Sequence, residues 1–600
     1  LNTHILEKHT TNNTLHLEFD FLKDLKLRTQ GTYYKYETSR YRYESGALPA
    51  NSDAQGGTAY RGEYKERSFL GEAILSYKFT VNKDHNMDVL GGVTGQKWSA
   101  DNISLQGKGY QLDDLSWNNM GAIPDKQNYT VSTSRTEKAK MSLLARLNYN
   151  YKELYYLTLT GRRDGASNFA RNNKWGFFPS AALKWNISGE QFFKDMTWIS
   201  EAALRLSAGR TGNDAISSYR SLEAVVPTTG GYLFDNRQPL AFYPSRLASD
   251  NLTWEKTDLY NVALDLSFFN NRLNITAEGY LSYTSDLLLD VQMPTHTGYS
   301  SKFVNVGKTS NKGVALSIET RNIVGNDCSW QTSLTLSHNK QMVEDIGTSD
   351  FVKAYSAYGN NSYMMYGYVK GYPLNALWGF KYAGTWKDKE EVDRNAVTRA
   401  YVSASNAQKS PGCARYLDIN HDGVMNERDL VYLGNADPWL YGGIQNTFHI
   451  RNFTVGIYFN YSLGGKIYNH SEQWMGNGSP STNQYRYMQK AWHPVRNPGS
   501  DIPRAGNNDG IASDRMVYDA TYLRLKNISV SYDFDLRKKT RNIIRSLRLS
   551  ASCENLYLWK EYNGFDPDVS SSSSNSTLRR VDIGAYPKPR TIIFSVQVKY

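Results

Sequence analysis

Long stretches of apolar–polar alternation constrain this 600-residue chain more than any other feature. Leu15, Leu17, Phe19 and Phe21 alternate with His16, Glu18 and Asp20. Gly71, Ala73, Leu75, Tyr77 and Phe79 alternate with Glu72, Ile74, Ser76 and Lys78, and Leu143, Ala145, Leu147, Tyr149 and Tyr151 with Arg146, Asn148 and Asn150. The rhythm returns at 177–187, 260–268, 273–283, 314–320, 330–338, 453–461 and 528–534, and closes on Phe594, Val596, Val598 and Tyr600. Alternation over ~9–11 residues is what a tilted strand needs to cross a bilayer with one face to lipid and one to a polar lumen. Strands of soluble sandwiches run ~5–6 residues. Very short connections at 22–24, 82–85, 152–153 and 270–272 separate long polar stretches at 36–66, 96–140, 211–256 and 464–520. Short turns at one rim and long loops at the other describe an outer-membrane barrel, here with about eighteen candidate strands. Within this pattern Val455 and Ile457 share the apolar face of Phe453, Phe459 and Tyr461, so both are expected to point to lipid.

Composition narrows the alternatives. Mean hydropathy is −0.59, and no stretch approaches the ~18 apolar residues of a membrane helix, which excludes a helical membrane protein and leaves a β-barrel open. Tyr supplies 44 residues against 22 Phe and 13 Trp, a usage suited to surfaces with one greasy and one wet edge. Tyr and Trp near strand ends read as an interfacial aromatic girdle before they read as sugar-stacking platforms. The net charge of +11 suits anionic ligands, but also lipopolysaccharide phosphates at a barrel rim. Cys328, Cys413 and Cys553 imply neither a disulfide framework nor a thiolate metal site. The first residues, Leu1-Asn2-Thr3, carry no basic or apolar leader features, so either a signal has been removed or the chain starts inside a longer polypeptide.

No enzyme signature stands out, and no catalytic residue is assigned. Gly307-Lys308-Thr309 resembles the end of a phosphate loop, but the first required glycine falls at Lys302 and no helix pattern follows. The basic run Arg537-Lys538-Lys539-Thr540-Arg541, with Arg545 and Arg548, lies between two strand patterns and reads as a charged barrel turn near lipid headgroups; no nucleic-acid partner is expected. The serine run 570–574 reads as a local flexible loop. One motif does point to a site. From Asp418 to Asp429, oxygen side chains fall at loop positions 1, 3, 5, 9 and 12 (Asp418, Asn420, Asp422, Asn426, Asp429). Gly423 sits at position 6, where a sharp turn is needed, and Val424 at 7 offers a carbonyl. This is EF-hand-type spacing for Ca²⁺, closed by Asp as in dockerin loops; the competing reading is an Asx-rich turn, since no clear helices flank it.

Whole phrases also resemble one family. Gly161-Arg162-Arg163-Asp164-Gly165-Ala166-Ser167-Asn168-Phe169, continuing to Asn173-Lys174-Trp175-Gly176-Phe177-Phe178-Pro179-Ser180, is similar to the SusC/RagA family of TonB-dependent outer-membrane transporters. So are Arg210-Thr211-Gly212-Asn213, Trp254-Glu255-Lys256-Thr257, Phe268-Phe269-Asn270-Asn271-Arg272-Leu273 and Asn311-Lys312-Gly313. Asp418 to Asp429, Tyr522-Leu523-Arg524-Leu525-Lys526-Asn527 and Glu554-Asn555-Leu556 complete the series in order. The resemblance implies an all-β, twenty-two-stranded transmembrane barrel with a plug domain inside it. It implies a TonB box before the plug, and a SusD-like surface lipoprotein that delivers oligosaccharides or peptides. Plug, TonB box and first strands find no counterpart here, so residues 1–600 are expected to be the C-terminal portion of such a barrel. The expected protein is thus a non-enzymatic SusC-type nutrient importer of the bacterial outer membrane, energised through the TonB complex, with substrate-contact residues left open. The rival expectation is a secreted all-β carbohydrate-binding or carbohydrate-active protein with a calcium loop. It leaves the 594–600 alternation and the turn–loop asymmetry without a cause.

Overall fold

The computed structural model describes residues 2–47, 56–110, 113–123, 125–193, 195–228, 241–293, 295–299, 301–347, 351–356, 364–395, 398–399, 410–476, 478, 483–506, 512–541, 543–569 and 579–600. The serine run 570–574 lies outside them. Seventeen strands make up the large antiparallel sheet, close to the number that alternation suggests. In chain order they are β1 (Asn2–Leu22), β2 (Leu25–Glu44), β3 (Gly57–Val81), β4 (His85–Tyr110), β5 (Tyr129–Tyr151) and β6 (Tyr155–Ala166). Then come β7 (Trp175–Asn186), β8 (Ile199–Asn213), β9 (Glu255–Phe268), β10 (Leu273–Ser285), β11 (Lys308–Val324) and β12 (Cys328–Asp345). The series ends with β13 (Leu440–Ile450), β14 (Phe453–Leu463), β15 (Tyr522–Asp535), β16 (Ser546–Lys560) and β17 (Thr591–Lys599).

Two compact units divide the chain. One comprises Leu1–Trp185, Ser207–Leu259 and Thr284–Val306; the other comprises Asn186–Leu206, Tyr260–Tyr283 and Gly307–Tyr600. In the first, β1 to β7 pair each with the next. In the second, β11 to β17 do the same. The expected short connections are tight turns. Asn82 and Lys83, Lys152 and Glu153, and Asn270 and Asn271 all take positive φ, the left-handed conformation that two-residue hairpin turns require. Gly307 also takes positive φ and leads directly into β11, so Gly307-Lys308-Thr309 is a strand-entry turn.

Strand length departs from expectation. β3 and β4 run 25 and 26 residues, far beyond the ~9–11 that cross a bilayer, so the connections expected at 36–66 and 96–140 shrink to 45–56 and 111–128. The extensions are silent in the sequence because neither face needs to be apolar there. Charged side chains cover them instead: Glu37 lies opposite Lys65 across the pair, and within single strands Lys35 pairs with Glu37 at 2.8 Å and Lys65 with Glu63 at 3.2 Å.

Register fixes the faces. In the second unit Val455 lies between Phe448 and Val530, and Ile457 between Asn446 and Ile528, on the side shared with Phe453 and Phe459. Tyr458 and Asn460 occupy the opposite, polar side, facing Gln445 and Gly443 across β13. Rings gather on the apolar side at the short-turn end: Phe453–Tyr532 at 4.6 Å, Tyr532–Phe534 at 4.5 Å and Trp330–Phe448 at 5.5 Å between centroids. The first unit has its own group, with His85–Tyr151 at 4.8 Å and Tyr155–Trp185 at 6.4 Å. Such belts belong at a membrane–water boundary. Arginine at Val455 should therefore destabilise the fold, but by less than the ~2–4 kcal/mol of a cation at the bilayer midplane, because Val455 lies opposite the boundary ring Phe448 and two residues from Phe453. The heat-modifiable folded band of Val455→Arg on a gel should fall below wild type; equal bands would reverse the facing assignment.

The described hydrophobic clusters lie at the long-loop end of each unit, where strand ends join them: Tyr43, Ala59 and Tyr110 pack with Met120 and Ile123. In the first, short strands Ala224–Thr228, Ala241–Arg246, Leu288–Gln292 and Ser301–Asn305 form a small sheet. In the second, Leu377, Ala436, Tyr468, Ala512, Met516 and Val581 pack around short strands between the long ones. The longest described helix has seven residues, Lys389–Asn395, and no described helix is long and apolar enough to cross a membrane.

Candidate functional site

The phrases shared with the transporter family are far apart in sequence, yet four of them meet at one place in the first unit. Phe169, Phe178 and Trp254 pack together with Ala166, Ala170 and Leu252. Trp254 stands 4.9 Å from Phe169 and 5.3 Å from Phe178, and its indole N–H donates to Lys174 O at 3.0 Å. Asn168 donates to Ile216 O at 3.0 Å, drawing the segment after β8 onto the cluster. Gly212 and Gly176 leave room for Phe178: a Cβ would meet its ring at 2.1 Å and 2.4 Å respectively. These motifs are thus the fastening of the long-loop layer to the strand ends.

The later phrases mark a bulge. The β15–β16 register shifts between Leu525 and Asn527, where the unpaired Lys526 donates its ammonium to Asn555 Oδ1 at 3.0 Å. Asn555 takes φ +53° and donates to Pro589 O at 3.1 Å. Beside the bulge Arg524 is buried, donating to the buried Asp566 at 2.6 Å; Asp568 lies 3.6 Å from the same guanidinium. Lys588 completes the set at 2.9 Å from Asp568.

On the polar face of the second unit, Asp568 of this set lines a cavity of about 530 Å³. Tyr441, Tyr458 and Tyr522 line it with Asn460, Arg579 and Arg580. Arg580 is aimed by bonds to Ser462 Oγ (2.6 Å) and Gly464 O (3.0 Å), and Arg579 lies 3.3 Å from Asp437. Asn460 Oδ1 is buried with no hydrogen-bond partner. Phenol faces, an amide and guanidinium groups around one hollow offer stacking, hydrogen bonding and charge. Sequence reasoning singled out only Tyr522 among them, within a family phrase, and assigned none as a substrate contact. Strand parity held part of the signal, since Tyr458 and Asn460 alternate with Ile457 and Phe459. Arg579 and Arg580 come from a loop, where no periodicity exists.

The 418–429 segment lies between β12 and β13, at the end opposite the short turns 325–327 and 451–452, a placement that strand counting left open. His421 and Gly423 take positive φ, and Gly423 N–H donates to Asp418 Oδ2 at 2.9 Å, closing loop position 6 onto position 1. Asp422 Oδ1 accepts from Val424 N–H at 2.8 Å, and Asn426 Nδ2 donates to Val424 O at 3.1 Å. Asp429 is fully buried; its Oδ1 accepts from Ile419 N–H (2.9 Å) and its Oδ2 from Asn426 N–H (2.8 Å). Asp418 Oδ1 is buried with no hydrogen-bond partner. No group of three or more His, Cys, Asp or Glu side chains is poised to hold a metal among the described residues; the loop's oxygens are turned onto its own backbone.

Elsewhere in this layer Glu472 accepts from the hydroxyls of Tyr487 and Tyr518, the latter at 3.1 Å. Burial, with the carboxylate beside it, pushes the Tyr518 phenol up to about 12. Burial also lowers His470 to about 4, which keeps its imidazole neutral at neutral pH. The layer is a packed structure in its own right.

A TonB-dependent receptor of Formosa agariphila is 31% identical over 555 residues, covering 91% of this chain and 54% of its own. The TonB-dependent receptor SusC of Bacteroides thetaiotaomicron is 26% identical over 476 residues, covering 78% of this chain and 44% of its own. The chain thus spans about half the length of the curated relatives it matches. Among solved structures, the RagAB peptide transporter superposes over all of this chain and 62% of its own, with a TM-score of 0.82 at 23% identity, a likeness of fold. The family model described as TonB dependent receptor-like, beta-barrel, matches residues 2–556, so the chain belongs to the TonB-dependent receptor β-barrel family of the outer membrane.

Proposed function

We propose that residues 1–600 are the C-terminal barrel portion of a SusC-type importer, taking up oligosaccharides or peptides handed over by a SusD-like surface lipoprotein and energised through TonB. The cavity bordered by Tyr441, Tyr458, Tyr522, Asn460 and Arg580 carries this reading, because it puts ligand-binding chemistry on the polar face of the sheet. Short turns face the periplasm and long loops the exterior, as in outer-membrane barrels generally. The loop layer is then the surface a lid protein would meet. The rival, a secreted carbohydrate-active protein, has no use for an apolar sheet face bounded by aromatic rings. Tyr458→Ala with Asn460→Ala in the native gene should slow growth on the transported nutrient as sole source while leaving the amount of folded barrel unchanged. Growth trials on glycans and on peptides identify the substrate class, and unaltered growth of the double variant on every nutrient that requires the gene would remove the cavity from the uptake path.

The 418–429 loop is proposed to take Ca²⁺ as a structural clamp of the 346–439 connection. Its support is the Gly423-to-Asp418 closure and the unpartnered Asp418 Oδ1, an oxygen a cation would satisfy. Asp418, Asn420, Asp422 and Asp429 would turn side-chain oxygens inward, with Val424 O and Asn426 completing a hard-oxygen set. Calcium should protect this loop from proteolysis, and Asp418→Ala with Asp422→Ala should abolish that protection. Identical digestion with calcium and with chelator would leave an Asx-bonded turn.

A further inference from the structure

The import reading, on whose orientation this inference rests, assigns no role to residues 536–545, which join β15 to β16 at the short-turn end and carry five cations, Arg537, Lys538, Lys539, Arg541 and Arg545. Arg537 is already neutralised, gripping Asp535 at 2.6 and 3.0 Å, and Arg548 on β16 grips Asp533 at 2.7 and 2.8 Å. Lys538, Lys539, Arg541 and Arg545 are exposed, and none of them joins an ion pair among the described residues. The turn that bears them is nonetheless fixed. Leu536 N–H donates to Arg545 O at 3.1 Å, and the Thr540 hydroxyl bridges the turn, 2.9 Å from Leu536 O while accepting Ile544 N–H at 3.0 Å. Arg545 N–H donates to Lys599 O at 2.7 Å, tying the turn to β17.

An exposed apolar side chain accompanies the cations: Ile543 is 70% accessible. An exposed isoleucine leaves apolar surface in water, and four cations clustered on one turn repel one another. A phospholipid surface satisfies both, with the apolar group at the acyl boundary and the cations on phosphate. Height agrees with this. The rings of Phe453, Tyr532 and Phe534 mark the boundary, and Arg537 follows Phe534 by three residues, about 10 Å at ~3.3 Å per residue.

We infer that the 536–545 turn is a docking site for anionic phospholipid headgroups of the inner leaflet. Arg541 and Arg545 would bind phosphate oxygens through paired N–H groups, Lys538 and Lys539 as point charges, and Ile543 would enter the acyl edge. Native mass spectrometry of the purified whole protein, with phosphatidylglycerol and phosphatidylcholine as probes, tests this. Wild type should retain phosphatidylglycerol preferentially. Each cation near an anionic surface is worth about fivefold, so replacing all four by glutamine should reduce that preference about tenfold or more. Lys23→Gln with Lys83→Gln, on other short turns, should keep it, and heat-modifiability confirms that each variant is folded. Ile543→Ser, which leaves every charge in place, should also weaken retention. Undiminished retention in the four-glutamine variant, equal loss in the Lys23/Lys83 control, no effect of Ile543→Ser, or displacement by millimolar inorganic phosphate would each overturn the site.

Discussion

Arg524→Ala should be among the most damaging single substitutions in the second unit, costing about 3–5 kcal/mol. Arg524 and Asp566 are 4% and 5% accessible, so removing the guanidinium strands a carboxylate that water cannot reach. Lys588 at 3.4 Å from Asp566 offsets part of the loss but donates along a different direction. The pair ties the 561–590 connection to β15 beside the cavity, so thermal loss of the heat-modifiable band should come several degrees earlier. Arg524→Met with Asp566→Leu should recover much of that loss, because an apolar pair leaves no buried charge. A melting midpoint for Arg524→Ala within a degree of wild type would mean that the ion pair contributes little to the fold.

Phe178→Ala should be comparably costly, about 3–5 kcal/mol for a large buried aromatic truncated to a methyl group. The lost ring fills the hollow left by Gly176 and Gly212 and supports Trp254, so the first unit's loop layer should detach before its strands separate. Limited proteolysis of the 214–254 connection should accelerate in this variant while the folded band persists. Gly212→Val should give the same phenotype from the opposite direction, by overfilling the hollow. Unchanged cleavage in both variants would show that the cluster does not hold that layer.

The membrane-facing part of the fold was legible because lipid and lumen impose opposite demands on alternate residues. Val455, Ile457 and Phe459 against Tyr458 and Asn460 could be read directly, and the register agrees. The loop layer was not legible. Its contacts join residues such as Asn168 and Ile216, or Arg580 and Ser462, whose sequence separation no local pattern encodes. Family phrases pointed to Phe178, Gly212 and Trp254 without saying why those residues belong together; one aromatic fastening accounts for all three. Asp418 to Asp429 was legible as a loop with closing geometry, since Asx side chains and Gly423 act locally.

The overlong strands of the first unit carry an implication for how such a protein meets its surroundings. At about 3.3 Å per residue and a tilt of about 40°, the 26 residues of β4 rise roughly 65 Å, more than twice the hydrocarbon thickness of ~30 Å. The excess is a wall of hydrogen-bonded sheet standing clear of the lipid. Its ladder is made by backbone groups, so its outward side chains can be exchanged with little effect on the strands beneath. Surface identity can drift there while the span in the bilayer stays fixed.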